Sequence, residues 1–474
     1  MEQTGLDKRR ELIEKRLHFI GIGGIGMSAI AKIMLHQGFS VSGSDVAHCR
    51  LIDELTAAGA RVSYGQAAEN IPPDCQAVVY SSAVKEDNPE MTEARRRGLR
   101  IYRRAEMLAY LMSTRCSIGV AGAHGKTTTS AMIATMLERC GQDPTVVIGG
   151  MLPAIGGSNA RAGDGPHLVA EADESDGTFL LLLPQIAVVT NIEPDHLDYY
   201  GDFDHIKLAF EQYFRQLPPQ GFAVICGDCP VCAELAARLP GRFISYSLRE
   251  EGADYTVKNI IHPPAEYGGG VLADVFYQGL LLGRLQLQVA GVHNIANALA
   301  ALAVGRELGL DFFQCCRGLA AFSGTGRRFE QLGRFGRLTV VDDYAHHPTE
   351  IAATIAAARA GGAGKLYTVF QPHRYSRTKE MYREFAQALL AGDRVLLVEL
   401  YPAFEQPIPG VSARLILEEM ERLGRRPQYA ATVEEGLAVL QQELRDEDML
   451  LIMGAGNVRR LGESFVEWKK EMQF

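Results

Sequence analysis

No block of basic residues, no apolar run long enough to span a bilayer, no internal repeat and no low-complexity tail occurs in this 474-residue chain. Each absence closes a class of function. A net charge of −9 with no basic stretch argues against nucleic acid as the main partner. The opening, Met1-Glu-Gln-Thr-Gly-Leu-Asp-Lys-Arg-Arg, is charged throughout and has no apolar signal core. With no spanning run either, the expectation is a cytoplasmic protein without a membrane partner. Nine cysteines make no disulfide framework. Cys226-Gly-Asp-Cys229-Pro-Val-Cys232 has the look of a metal knuckle, but a tetrahedral zinc site needs a fourth ligand at comparable spacing and none lies nearby. Cys315 and Cys316 are adjacent in a helical pattern, so idle thiols in a reducing compartment are expected.

What is present is ordinary for a globular chain, 47% hydrophobic and 22% charged, and long enough for about three domains. Strand-like and helix-like runs alternate from end to end, the signature of α/β domains with mainly parallel sheets. The first set runs from His18 to about Thr114, with strands near Phe39, Val62, Ala77 and Leu99; Met112-Ser-Thr-Arg-Cys reads as a linker. The second runs from Ser117 to about Ser323, with strands near Val146, His167, Ile186, Ala223, Phe243 and Leu285, and a Gly- and Pro-rich piece, His262 to Gly270, decorating the sheet. The third follows Ser323-Gly-Thr-Gly-Arg-Arg, with strands near Leu338, Leu366, Val395 and Leu450. The expected domains are 1–114, Rossmann-like; 115–325, a central P-loop α/β domain; and 326–474, Rossmann-like again.

Two glycine loops stand out. Gly122-Ala-His-Gly-Lys-Thr-Thr-Thr lies between a strand (Ser117 to Ala121) and a helix (Thr127 to Leu137). That context makes a phosphate cradle of Gly122, Ala123, His124, Gly125, Lys126, Thr127 and Thr128. Loop amides and the helix N-terminus face an anion, Lys126 adds a point charge at the β- and γ-phosphates, and the Thr127 hydroxyl is placed for magnesium. Gly122 and Gly125 are only three apart, so the loop is a compact form of the usual spacing, and its ligand is ATP. Near the start, Gly21-Ile-Gly23-Gly24-Ile-Gly26 follows a strand and opens an apolar helix, with Asp45 nineteen residues on. This fingerprint certifies a backbone approach to a pyrophosphate and an acid for a ribose. It does not distinguish a dinucleotide from a nucleotide sugar.

Acids and imidazoles gather at later strand ends. Glu171-Ala-Asp173-Glu174-Ser-Asp176 and Asn191-Ile-Glu193-Pro-Asp195-His196 end consecutive strands on the loop-bearing edge, and hard oxygens with an imidazole beside an ATP loop suit magnesium. His293 and Asn294 open an apolar helix, where either could equally be a cap. Asp342-Asp343-Tyr344-Ala-His346-His347 and Phe370-Gln-Pro-His373-Arg374-Tyr-Ser-Arg377 end two strands that share an edge if the third domain is doubly wound.

The order and wording of these motifs resemble the Mur ligases, over essentially the whole chain, and within them the branch that adds L-alanine to UDP-N-acetylmuramate. His18-Phe-Ile-Gly-Ile-Gly-Gly-Ile-Gly-Met-Ser resembles the family's opening, and the ATP loop, the Glu171 and Asn191 segments, Ser323-Gly-Thr-Gly-Arg-Arg-Phe, and the Asp342 and Phe370 segments follow in its order. Two positions depart: the family's late G-A-G-D is Gly454-Ala-Gly-Asn457 here, and the three-cysteine loop replaces a segment often rich in Asp and Asn. Where some members carry a carbamylated lysine, this chain has Glu211.

The resemblance implies an ATP- and magnesium-dependent ligase in peptidoglycan precursor synthesis, a monomer or homodimer, working through an acyl phosphate. It implies that Lys126, His196 and Arg327 serve catalysis, Arg327 as a phosphate contact from the hinge. Thr127 and Glu171 would bind one magnesium ion and His196 a second. Asn294 and Asn297 would meet adenine, and Asp343 its ribose. Gly21, Gly23, Gly24, Gly26, Asp45, Ser81 and Ser82 would hold the UDP-sugar, and Tyr344, His346, Arg374 and Arg377 the amino acid. Three rivals stay open: a dehydrogenase, a P-loop motor or switch, and a recycling ligase that adds a whole tripeptide to the same sugar nucleotide.

Overall fold

Three sheets, whose central strands are short apolar runs, build this computed structural model, which describes residues 14–81, 83–263, 270–362, 364–403, 405–444 and 449–472. The first sheet comprises β1 (Arg16–Ile20), β2 (Ser40–Asp45), β3 (Arg61–Tyr64), β4 (Ala77–Tyr80) and β5 (Arg100–Arg103). Its order is β3-β2-β1-β4-β5, with every neighbour parallel. The chain winds outward from β1 to β3 and then crosses to β4, so the winding reverses between β1 and β4. Ligands of open α/β sheets bind at such a point, outside the carboxyl ends of the strands.

The second sheet comprises β6 (Cys116–Ala121), β7 (Thr145–Leu152), β8 (Ser158–Arg161), β9 (His167–Glu171), β10 (Ile186–Val189), β11 (Phe222–Cys226), β12 (Phe243–Ser247), β13 (Tyr255–Ile261), β14 (Val271–Tyr277) and β15 (Leu280–Leu287). The order runs β15-β14-β13-β12-β11-β10-β6-β9-β7-β8, which seats β6 between β10 and β9. Val120 lies level with Glu171, and Ala121 with Val189, so three strands deliver their loops to one edge. The middle of this sheet is buried on both faces; Ile118, Val120, Val169, Ala170, Val188 and Val224 are fully covered. Parallel strands covered on both faces read as continuous apolar runs rather than alternating ones.

The third sheet comprises β16 (Glu330–Phe335), β17 (Leu338–Asp343), β18 (Leu366–Phe370), β19 (Arg394–Val398), β20 (Gln428–Ala430) and β21 (Met449–Met453), in the order β16-β17-β21-β18-β19-β20. Only β16 runs antiparallel to its neighbour. Alternate residues feed two cores. Val340, Val369, Leu396 and Ile452 pack with Phe465, and Val341, Phe370, Leu397 and Leu451 with Phe385. Asp343, Met453 and Phe370 are level with one another, so the loops after β17, β21 and β18 leave from a common edge.

The result is a three-domain α/β fold carried by two compact units. One holds the chain to Lys258 with Val275–Gly283 and Ala296–Phe322; the other holds Asn259–Asp274, Arg284–Ile295 and Ser323–Phe474. Within the first unit, helix Ile25–His36 packs on β7 and β8 of the second sheet. Its Lys32 Nζ donates to Ser158 Oγ at 3.0 Å, and Asn159 Nδ2 to Ser28 Oγ at 3.3 Å. The segment read as a linker is short. Met112 and Ser113 finish helix Arg104–Ser113 and Cys116 opens β6. β8, β13, β14, β16 and β20 go beyond the strands expected from the sequence, and most of the Gly- and Pro-rich decoration lies outside the described residues. Among the described residues no helix is long and apolar enough to cross a membrane.

Candidate active site

The loop after β6 turns through two left-handed glycines, Gly122 (φ +129°) and Gly125 (φ +82°), before helix Lys126–Arg139 begins. A Cβ at Gly122 would lie 2.3 Å from Thr190 Oγ1, so backbone strain and crowding both demand glycine there. The loop is braced from the end of β10. Ala123 N–H donates to Asn191 O at 3.3 Å, His124 N–H to Asn191 Oδ1 at 2.9 Å, and Asn191 Nδ2 to His124 O at 3.0 Å. Asn297 braces it from the other side, accepting from Thr129 Oγ1 at 3.1 Å with its Oδ1 2.9 Å from the place of a Gly125 Cβ. Thr128 is buried at the helix start. His124 Nε2 faces Glu193 at 3.4 Å.

Lys126 reaches back over this loop and donates to Gly122 O at 2.6 Å, Ala123 O at 3.2 Å and Glu174 Oε1 at 2.9 Å. Burial works against its charge, but Glu174, Asp173 and Glu171 outweigh it and hold the ammonium above its usual value. Burial pushes Glu174 and Glu171 up, against the pull of Lys126 and, at Glu171, of a Gly149 N–H at 2.8 Å. Asp173 is held down, because Lys126, Ser175 and His196 overcome its burial. Three carboxylates thus surround one ammonium. Glu174 Oε2 is buried with no hydrogen-bond partner, and Glu171 is hydrogen-bonded to the Thr127 hydroxyl. Surplus negative charge, an orphaned carboxylate oxygen and a paired hydroxyl are the hard oxygen donors a magnesium ion takes. His196, at φ +56°, stands beside Asp195 at 3.6 Å, so Lys126, Thr127, Glu171 and His196 share one edge. Glu211 lies apart, paired with Arg215 at 2.7 Å and Arg238 at 2.5 Å.

In the first sheet Gly21 follows β1 and Ser81 follows β4, on the two sides of the reversal. A Cβ on Gly21 would stand 3.8 Å from Ser81 Oγ. Gly21 and Ile22 donate to Ser44 O at 2.8 and 3.0 Å, and Gly23 to Asp45 Oδ2 at 2.8 Å. Asp45 therefore shapes the loop. Gly24 caps helix Ile25–His36, and Gly26 leaves room for Arg104, which a Cβ would approach to 2.9 Å. Ser82 lies outside the described residues. Beneath this loop is a network that the sequence reading missed. Glu90, fully buried, accepts from Ser44 Oγ at 2.7 Å, from Asn70 Nδ2 at 3.0 Å, and pairs with His18 Nε2 at 2.8 Å, while His18 Nδ1 meets Ser42 Oγ at 2.9 Å. Its only sequence signal is a histidine inside an apolar strand.

In the second unit, helix Tyr375–Leu389 starts at Arg374, whose φ is +72°, and buries Arg377 on its first turn. Tyr344 and His346 meet edge to face at 5.2 Å, His346 and His373 at 5.9 Å, and His373 stacks on Tyr401 at 5.7 Å. Burial, with Arg377 close by, pushes His346 down to about 3 and His373 to about 4, so both are neutral donors or acceptors at pH 7. His373 and Tyr401 were not assigned to the amino-acid set from sequence. Arg327, at φ +60°, lies over the Tyr344 ring at 4.8 Å and donates to Gly454 O at 2.7 Å and to Asp342 at 3.3 Å. Asp343 accepts from Phe329 N–H at 2.7 Å and Ala345 N–H at 2.8 Å, and burial pushes it up to about 6. Asn294 Nδ2 donates to Ala290 O at 2.7 Å, a tie across its helix start. Asn457, where the resemblance leads one to expect an acid, accepts from Gln371 Nε2 at 2.9 Å.

Three family models match in chain order: the Mur ligase family catalytic domain over residues 16–115, the Mur ligase middle domain over 120–305, and the Mur ligase glutamate ligase domain over 327–456. A UDP-N-acetylmuramate–L-alanine ligase of Desulforamulus reducens is 47% identical over 461 residues, 97% of this chain and 98% of the relative. The chain belongs to the Mur ligase family. Among solved Mur ligases, the UDP-N-acetylmuramate-alanine ligase of Thermotoga maritima superposes with a TM-score of 0.81 at 29% identity, covering 97% of this chain and all of that one. The ligase of Neisseria meningitides that takes L-alanyl-γ-D-glutamyl-meso-diaminopimelate is also 29% identical, with a TM-score of 0.60 over 66% of this chain. Mur ligases are ATP-dependent ligases, and a solved neighbour from Thermotoga maritima is a complex with ADP.

Proposed function

We propose that this Mur ligase joins L-alanine to UDP-N-acetylmuramate, converting ATP to ADP and phosphate, in cytoplasmic peptidoglycan precursor synthesis. The carrying observation is the 47% identity, end to end, to a ligase named for that reaction. The solved murein peptide ligase and the solved tripeptide-adding ligase superpose less well than the alanine ligase, at TM-scores of 0.68 and 0.60 against 0.81.

A carboxylate and an amine do not condense in water without activation. The muramate carboxylate attacks the γ-phosphate to give an acyl phosphate. The L-alanine amine attacks that carbonyl, and phosphate leaves. Both steps bring anions together, so positioning and charge neutralisation carry the rate. In this reading residues 1–114 hold the UDP-sugar through Gly21, Gly23, Gly24, Gly26, Asp45, Ser81 and Ser82. Residues 115–325 hold ATP, with Lys126 and the amides of Gly122 to Thr128 on its phosphates and Asn297 near its base. Residues 326–474 bind the amino acid through Tyr344, His346, Arg374 and Arg377, whose guanidinium forks suit a carboxylate. Asn294 and Asp343 contact adenosine, and Arg327 reaches phosphate only by giving up its present hydrogen bonds. Thr127 and Glu171 would hold one magnesium ion and His196 a second, supplying neutralisation at the phosphate oxygens.

Phosphate release with UDP-N-acetylmuramate, ATP and magnesium, compared across the twenty amino acids, tests the reading. L-Alanine should be preferred, with fair use of glycine and L-serine. Efficient ligation of L-alanyl-γ-D-glutamyl-diaminopimelate would instead make the chain a recycling ligase.

A further inference from the structure

Cys229 caps helix Pro230–Arg238, and Cys232 sits on that helix's first turn. The spacing is Cys-Pro-Val-Cys, and the two thiols are hydrogen-bonded to each other. Positions three apart on a helical turn have Cβ atoms about 5–6 Å apart, within a small adjustment of disulfide geometry. Cys229 is 8% exposed and Cys232 is fully buried, so the pair has an outer and an inner member. The hydrogen bond from Cys232, with backbone N–H groups of Cys232, Ile192 and Val231, holds the Cys229 thiol down to about 6 against its burial. The third cysteine, Cys226, is pushed up to about 11 by burial. Among the described residues the three sulfurs do not converge as metal ligands do.

The second observation is where Cys229 points. Its sulfur accepts from Ile192 N–H at 3.4 Å and donates to Ile192 O at 3.8 Å. Ile192 follows Asn191, which braces Ala123 and His124 of the phosphate loop, and precedes Glu193, Asp195 and His196. The outer thiol is therefore a fastener of the segment that shapes the ATP site.

We propose that Cys229 and Cys232 form a reversible modification site for small-molecule disulfides of the glutathione class, and that closing it loosens the phosphate loop. The Cys229 thiolate attacks one sulfur of the small disulfide, giving a mixed disulfide and one free thiol, which takes a proton from water. Cys232 loses its proton to water and its sulfur attacks Cys229. The second small thiol leaves and the intramolecular disulfide remains. Two protein thiols are oxidised and one small disulfide is reduced to two thiols. Turning Cys229 toward Cys232 removes its sulfur from Ile192.

The full chain is incubated with oxidised glutathione, free thiols are alkylated, and the peptides are weighed. The expected product is a peptide two hydrogens lighter, linked between Cys229 and Cys232, with a severalfold higher apparent KM for ATP that dithiothreitol reverses. Cys232→Ser should stop at the glutathione adduct on Cys229 and give no peptide two hydrogens lighter. Absence of the link, or a link that leaves the KM for ATP unchanged, overturns the proposal. The peptide mass is independent of the ligase reading, whereas the KM shift rests on it. A reduced chain that never forms ADP would sink that reading and leave the disulfide result standing.

Discussion

Lys126 is the residue on which the ATP assignment turns, because its charge is both desolvated and surrounded by acids. Lys126→Ala should cut turnover on the order of a hundredfold or more, since a preorganised charge at a transferring phosphoryl group is lost. Binding of the UDP-sugar, measured by calorimetry, should be spared. Near-normal turnover would remove the ATP loop from the mechanism. The acids around the lysine separate by role. Glu171 is tied to Thr127 and Gly149, against the loop itself, whereas His196 stands beyond it next to Asp195. Glu171→Ala should therefore weaken both ATP binding and turnover, and His196→Ala mainly turnover. Titrating magnesium against each variant checks this, and an unchanged metal dependence in both would refute the metal assignment.

Elements differ in how openly the sequence announces them. β6, β9 and β10 are apolar runs that lead to Gly122, Glu171 and Asn191, and the glycine loop and both acidic clusters can be placed on one edge from that pattern alone. β8 is Ser-Asn-Ala-Arg and β20 has three residues, so neither carries a periodic signal; their form comes from the neighbours they pair with. The network below the first glycine loop was hidden for another reason. His18, Ser44 and Glu90 are far apart in the chain, and only the crossover to β4 brings helix Pro89–Arg96 under β2. Burial pushes Glu90 up, but hydrogen bonds from His18, Ser44 and Asn70 prevail and hold it below the usual carboxylate range. Through Ser44, whose carbonyl takes the Gly21 and Ile22 N–H groups, this ionised acid fixes the loop. Glu90→Gln turns one acceptor oxygen into a donor and leaves at least one buried donor unpaired, a cost of about 1–3 kcal/mol. The melting temperature should fall, and KM for the UDP-sugar should rise while KM for ATP stays near that of the parent. Equal rises in both would reduce the network to general support.

At the scale of the whole molecule, the buried imidazoles of the second unit link stability to pH. His346 and His373 titrate at about 3 and about 4 in the folded chain, against an ordinary 6.5. Both are neutral when folded, whereas the unfolded chain takes up protons there below pH 6.5. Their contribution is complete above pH 6.5 and is lost as pH falls toward 4, where the folded chain begins to take the same protons. Asp343 runs the other way. Raised from 3.8 to about 6, it is protonated in the fold first, and so offsets part of the loss between about pH 6 and 4. Overall acid sensitivity mixes these signs, but a difference between two proteins isolates one of them. His373→Gln removes one proton uptake from the unfolded chain. Its stability relative to the parent, from urea unfolding, should improve as pH falls from 7 to 5, with a slope approaching about 1.4 kcal/mol per pH unit below 6.5. His373 Nδ1 is buried without a hydrogen-bond partner, and burial with Arg377 and Arg374 close by outweighs the pull of Glu405 toward the charged form, so the slope should persist to near pH 4. A difference that stays flat across this range would mean that His373 takes up its proton in the fold as readily as out of it.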